Sequence, residues 1–124
     1  MARSLLLIEP DVVLRKQYAL ALRDEFDVSS AATAQQALDV LDGTTHRIDV
    51  IVMDFSLGSN NGVEFLHEVR SYDDWVEIPV VMMSAVPNDR VPQDKLTTYG
   101  VEKLLYKPQL SPVGLRTQVC RVLS

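Results

Sequence analysis

Apolar runs divide the chain at regular intervals. The four strongest are Leu5 to Ile8, Ile48 to Met53, Ile78 to Met83 and Val101 to Tyr106, and the first three are apolar nearly throughout instead of alternating. Strands covered on both faces read this way, and such strands belong to parallel sheets layered between helices. Val28 to Ala31, short and half polar, fits an edge strand. Between the runs, apolar positions recur with helical period. Asp11 can cap a helix that places Leu14, Tyr18 and Leu22 on one face, and Thr33 can cap a second with Ala37, Leu38 and Leu41 inward. Asn61 and Gly62 open a third, carrying Val63, Leu66, Val69 and Arg70. Ser111 followed by Pro112 is a strong start signal for a last helix that buries Leu115, Val119 and Val122. Pro87 and Pro92 forbid a regular helix before Pro92, so this segment predicts a loop through Val91, then a short helix from Pro92 to Tyr99 ended by Gly100. Five strands alternating with five helices imply parallel strands joined by right-handed crossovers, hence an α/β, doubly wound five-stranded parallel sheet.

The chain has 124 residues, enough for one hydrophobic core and not two, so residues 1–124 read as one domain. A formal charge of −5 with scattered Lys and Arg argues against an intrinsic nucleic-acid surface. Cys120 is the only cysteine, which excludes an internal disulfide and a cysteine zinc cluster, and its place among apolar positions suits a buried, inert thiol. Met1 to Ser4 lead into too few apolar residues for a signal-peptide core, and no stretch approaches a bilayer span. The expectation is a soluble cytoplasmic protein with no membrane partner.

In open α/β sheets, ligands bind beyond the carboxyl ends of the strands. Glu9 follows the first strand with Asp11 two residues on, Asp54 follows the third, Ser84 the fourth and Lys107 the fifth. One such residue is ordinarily just a strand leaving into a polar loop. Four with complementary chemistry suggest a site. A carboxylate nucleophile facing a phosphoryl group needs a cation, and hard oxygen ligands suit Mg²⁺. A hydroxyl and a lysine would bind the phosphoryl oxygens as hydrogen-bond donor and point charge.

These residues resemble the receiver domains of two-component response regulators, over essentially the whole chain. Leu5 to Glu9 looks like the first strand with its acidic end, and Val50 to Asp54 like the phosphoacceptor strand. Gly62 falls where the family has glycine, Ser84-Ala85 matches the hydroxyl and small-residue pair, and Lys107-Pro108 matches a Lys-Pro pair whose peptide bond is often cis. The resemblance implies a flavodoxin-like sheet in the order 2-1-3-4-5. It further implies that Asp54 takes a phosphoryl group from a histidine kinase or phosphotransfer protein. Ser84 and Lys107 would sense the phosphoryl group, and the Ser56 backbone carbonyl would join Glu9 and Asp54 around Mg²⁺. A face of helix four, strand five and helix five would report the change to a downstream protein or output domain, or form a homodimer. The only chemistry implied is the domain's own phosphorylation and dephosphorylation.

The sequence departs from the pattern at several points. Pro10 stands where relatives have a second acid that ligates the metal, so weaker Mg²⁺ binding is expected; Asp11 could swing in, although helix capping is its preferred role. Leu104 occupies the usual place of a switching aromatic, and whether Tyr106 replaces it is open. Gly58, Ser59, Asn60 and Asn61 should make the following loop more flexible than usual. The alternative is a pseudo-receiver that docks partners without handling phosphate, a reading Pro10 and Leu104 favour. An aspartate-nucleophile phosphatase would need an acid where Ser56 stands, and a flavodoxin would need a Ser/Thr/Gly-rich phosphate loop after the first strand. His46 and His67 carry no assigned role, and Trp75 is read as a ring packing over the sheet end. With the last helix near residue 124, the chain reads as a stand-alone regulator or a fragment of a longer protein.

Overall fold

The computed structural model describes residues 2–58 and 60–124; Met1 and Ser59, named in the N-terminal and loop readings, lie outside them. Five strands, β1 (Arg3–Ile8), β2 (Phe26–Ala31), β3 (Val50–Asp54), β4 (Val80–Ser84) and β5 (Val101–Tyr106), form one sheet. Every pairing in it is parallel, and the order is 2-1-3-4-5. Five helices alternate with them: α1 (Val12–Leu22), α2 (Ala34–Gly43), α3 (Gly62–Val69), α4 (Gln93–Thr98) and α5 (Pro112–Leu123).

The apolar runs are explained by two separate cores. Leu6, Ile8, Ile51, Met53, Val80 and Met82 face the side packed by α2, α3 and α4, whereas Leu5, Leu7, Val50, Val52, Val81 and Met83 face α1 and α5. A strand buried on both faces has no polar alternation left to show. β2 at the sheet margin keeps Asp27 and Ser30 exposed, as an edge strand should.

The expected caps form. Asp11 accepts from the Val13 and Leu14 N–H groups, Thr33 from Gln36, Asn61 from Glu64 and Ser111 from Gly114. Each side chain satisfies backbone donors that a helix leaves open at its start.

Several details differ from the sequence reading. Ser56–Leu57 and Asn60–Asn61, within the segment expected to be more flexible than usual, pair as two short antiparallel strands, with Gly58 at φ 79°. Positive φ comes at little cost to glycine, which suits Gly58 to this conformation. Asn88–Arg90 form a 3₁₀ turn inside the segment read as a loop. Among the described residues no peptide bond is cis, Lys107–Pro108 included, in keeping with the intrinsic trans preference of such bonds. Cys120 is half-buried, since its place on α5 lies at the margin of the core.

Beneath α3 lies a feature the sequence did not announce. The Arg70 guanidinium donates to the carbonyls of Tyr99 (2.8 Å), Trp75 (2.7 Å) and Ile78 (2.6 Å), tying the end of α3 to the loop before β4 and the turn before β5. Gly100, at φ 82°, lies against it, and a Cβ there would come within 2.8 Å of an Arg70 nitrogen. Gly100→Ala should therefore lower stability by about 2 kcal/mol, combining backbone strain with displacement of the guanidinium. Urea unfolding followed through Trp75 measures this, and an unchanged midpoint would contradict it.

Candidate functional site

The sheet order sets β1 and β3 side by side, with β5 at the far margin, so Glu9, Asp54 and Lys107 meet at one sheet edge. Glu9 extends the β1 ladder by one bond, its N–H donating to the Ala31 carbonyl at 3.0 Å. Its residue is 1% exposed and that of Asp54 6%. The Lys107 ammonium joins them. It donates to Glu9 Oε1 at 2.6 Å and also to Asp54 Oδ2. The remaining carboxylate oxygens are occupied as well, Glu9 Oε2 by the Asp11 N–H (3.0 Å) and Asp54 Oδ1 by the Ser56 N–H (2.9 Å).

Two carboxylates around one ammonium leave the cluster one negative charge in excess. Burial pushes the Glu9 carboxyl above its ordinary range, and the hydrogen bond from Lys107 only partly offsets this. Burial would depress Lys107, but its bonds to Asp54 and Glu9 outweigh that and hold the ammonium above its ordinary pKa. Beneath it, Tyr18 is 2% exposed, and burial raises its hydroxyl while the nearby ammonium counters.

Not every sequence candidate joins the cluster. Ser84 is 1% exposed, but its hydroxyl donates to the Val86 carbonyl and accepts from the Val86 N–H, both at 3.1 Å, so it closes its own loop. Asp11 is exposed and its Oδ1 serves the α1 cap. Leu104 packs with the α2–α4 side of the core, while half-buried Tyr106 pairs in register with Ser84. His67, given no role above, bonds the Tyr99 hydroxyl at 2.8 Å, whereas His46 is exposed. Arg15 escaped the sequence reading; its guanidinium donates to the carbonyls of Glu9 (2.8 Å) and Pro10 (3.4 Å) and braces the β1–α1 loop. Backbone partners leave no trace in residue spacing.

The chain matches the family described as "Response regulator receiver domain" over residues 5–119, and it belongs to that family. It is 30% identical over 108 residues to the KDP operon transcriptional regulatory protein KdpE of Escherichia coli, covering 85% of this chain and 44% of that one. It is 32% identical over 109 residues to the transcriptional regulatory protein MalR of Bacillus subtilis, again covering 85% and 44%. The chain thus spans less than half the length of these two relatives. The chemotaxis response regulator CheY4 of Vibrio cholerae superposes with a TM-score of 0.86 at 24% identity, over 98% of this chain and 99% of that one. That likeness establishes the CheY-type flavodoxin-like fold.

Receiver domains generally bind Mg²⁺ at this edge. The residues here do not make the matching set. Pro10 offers no side-chain oxygen, Asp11 is committed to its cap, and all four oxygens of Glu9 and Asp54 already hold N–H donors. Among the described residues no group of three or more His, Cys, Asp or Glu side chains is arranged to hold a metal.

Lys107→Met should leave two buried carboxylates without a cation and cost about 3 kcal/mol near neutral pH. The loss shrinks on acidification, as Glu9, whose pKa burial raises, becomes neutral and needs no partner. It also shrinks in strong alkali, because the parent's Lys107, its pKa raised by its bonds to Asp54 and Glu9, then loses its own charge. Unfolding free energies of parent and variant across pH measure this; a pH-independent difference would contradict it.

Proposed function

We propose that this chain is a phosphoryl-accepting receiver, with Asp54 as the acceptor. One observation carries the reading. An ammonium is held on the nearly buried Asp54 at the sheet edge where the family's chemistry takes place. A carboxylate oxygen of Asp54 attacks the phosphorus of a phosphohistidine on a histidine kinase or phosphotransfer protein. The P–N bond breaks as the P–O bond forms, and the imidazole leaves with the electron pair and takes up a proton. The product is an acyl phosphate. Lys107 then follows the charge from Asp54 to the new phosphoryl oxygens, keeping Glu9 as its second partner. The Ser84 hydroxyl turns from Val86 to the phosphoryl group, which frees the loop after β4. Tyr106, its register neighbour, is the ring placed to respond.

Such a domain is a two-state element whose populations shift with phosphorylation. The face of α4, β5 and α5 carries the change to an output domain or downstream protein, and is the surface for any homodimer. Relatives named as transcriptional regulators, and a match to a segment of the sensor histidine kinase TmoS, support partners of this kind. A cytoplasmic place is part of the proposal, and no helix among the described residues is long and apolar enough to cross a membrane. The domain extends over residues 1–124 and catalyses at most its own phosphorylation and dephosphorylation. Mg²⁺ held weakly by Glu9, Asp54 and the Ser56 carbonyl, with Asp11 joining only by leaving its cap, is part of the proposal, and no step above depends on it.

Pro10 favours a second reading, a pseudo-receiver that docks partners in the state shown here. Intact mass after incubation with a small phosphoryl donor and Mg²⁺ separates the two. A phosphoryl adduct is expected on the parent and none on Asp54→Asn; a folded parent without an adduct establishes the docking module instead.

A further inference from the structure

We propose that Lys107, and not a divalent cation, is the resident counter-charge of this site, and that the chain is built to hold Mg²⁺ only loosely. The inference rests on Glu9, Asp54 and Lys107 forming one site, as in the reading above, but not on phosphoryl transfer taking place.

Several features point the same way. An Mg²⁺ ion requires near-octahedral oxygen ligands at about 2.0–2.1 Å and gives up its water reluctantly. Here each of the four carboxylate oxygens already accepts one hydrogen bond, from the Lys107 ammonium or from the Asp11 or Ser56 N–H. An entering cation has to displace the ammonium from Glu9 Oε1 and Asp54 Oδ2 or sit beside a like charge. The ammonium also cancels one of the two negative charges that would draw the ion in. The loop closes the other route. Pro10 is exposed and contributes no ligand, while Asp11 next to it holds the Val13 and Leu14 N–H groups at 2.9 Å. Recruiting Asp11 means uncapping α1. Arg15 fixes that loop through the Glu9 and Pro10 carbonyls and brings a second positive charge to the rim.

The test titrates Mg²⁺ alone, at constant ionic strength, into the full chain and follows backbone amide shifts at Asp11 and Ser56. Four proteins are compared: the parent, Pro10→Asp, Lys107→Met and the double variant. The parent should not saturate in the range where the double variant does. Each single variant should bind roughly tenfold or more tightly than the parent, a typical scale for groups that tune a metal site. Mg²⁺ should raise the melting temperature of the double variant and leave the parent unmoved. A parent that saturates as tightly as the double variant overturns the proposal, as does folded Lys107→Met with the parent's affinity. Should Lys107→Met fail to fold, Pro10→Asp decides, because ion binding there has to shift the Lys107 side-chain nitrogen signal. Tight binding with that signal unmoved overturns the proposal. No readout needs a phosphoryl donor. A tight parental Mg²⁺ site leaves phosphoryl acceptance by Asp54 standing, and a missing Asp54 adduct leaves the metal result standing.

Discussion

The ammonium of Lys107 binds two carboxylates that would otherwise repel each other in a nearly water-free recess, and the rest of the site is arranged around that contact. Lys107 is 98 residues from Glu9 and 53 from Asp54 in the chain. Only a sheet that places β1 and β3 adjacent and delivers β5 to the same edge brings the three together. Buried carboxylates are tolerated only with a cation and with their remaining lone pairs satisfied. Both conditions hold, since the Asp11 and Ser56 amides occupy the oxygens that Lys107 leaves. Such a cluster opposes its own disruption, yet it responds strongly to added negative charge.

The supporting fold is rigid where it must be. β1, β3 and β4 are buried on both faces, so the positions of Glu9, Asp54 and Ser84 are set by two packed cores. The Arg70 clamp on Tyr99, Trp75 and Ile78 secures the far end of α3 and the turn into β5. In the loop after β4 the Ser84 hydroxyl bonds the carbonyl and the N–H of Val86.

Much of this was legible in the residues. Continuous apolar runs gave the buried strands because a doubly covered strand has no polar face, and Asp11, Thr33, Asn61 and Ser111 marked helix starts because their short side chains reach open N–H groups. The acids at Glu9 and Asp54 and the lysine at Lys107 stood out as strand-end polar residues. What stayed hidden depended on backbone partners or on geometry that no spacing encodes. Arg15 and Arg70 bond carbonyls, which are the same in every residue. The pairing of Ser56–Leu57 with Asn60–Asn61 is made through backbone groups that no side chain in the segment specifies. The local engagement of Ser84 belongs to this conformation and could not be read from a motif that names only the residue.

The bond between the Lys107 ammonium and the buried Glu9 carboxylate should couple the two residues energetically across the sheet edge. A double-mutant cycle of Glu9→Gln against Lys107→Met, measured by urea unfolding near neutral pH, tests it most directly. The account predicts a coupling of about 2 kcal/mol, with the second change costing much less once the first is made. Additive effects, with no coupling beyond the error of the measurement, would contradict it.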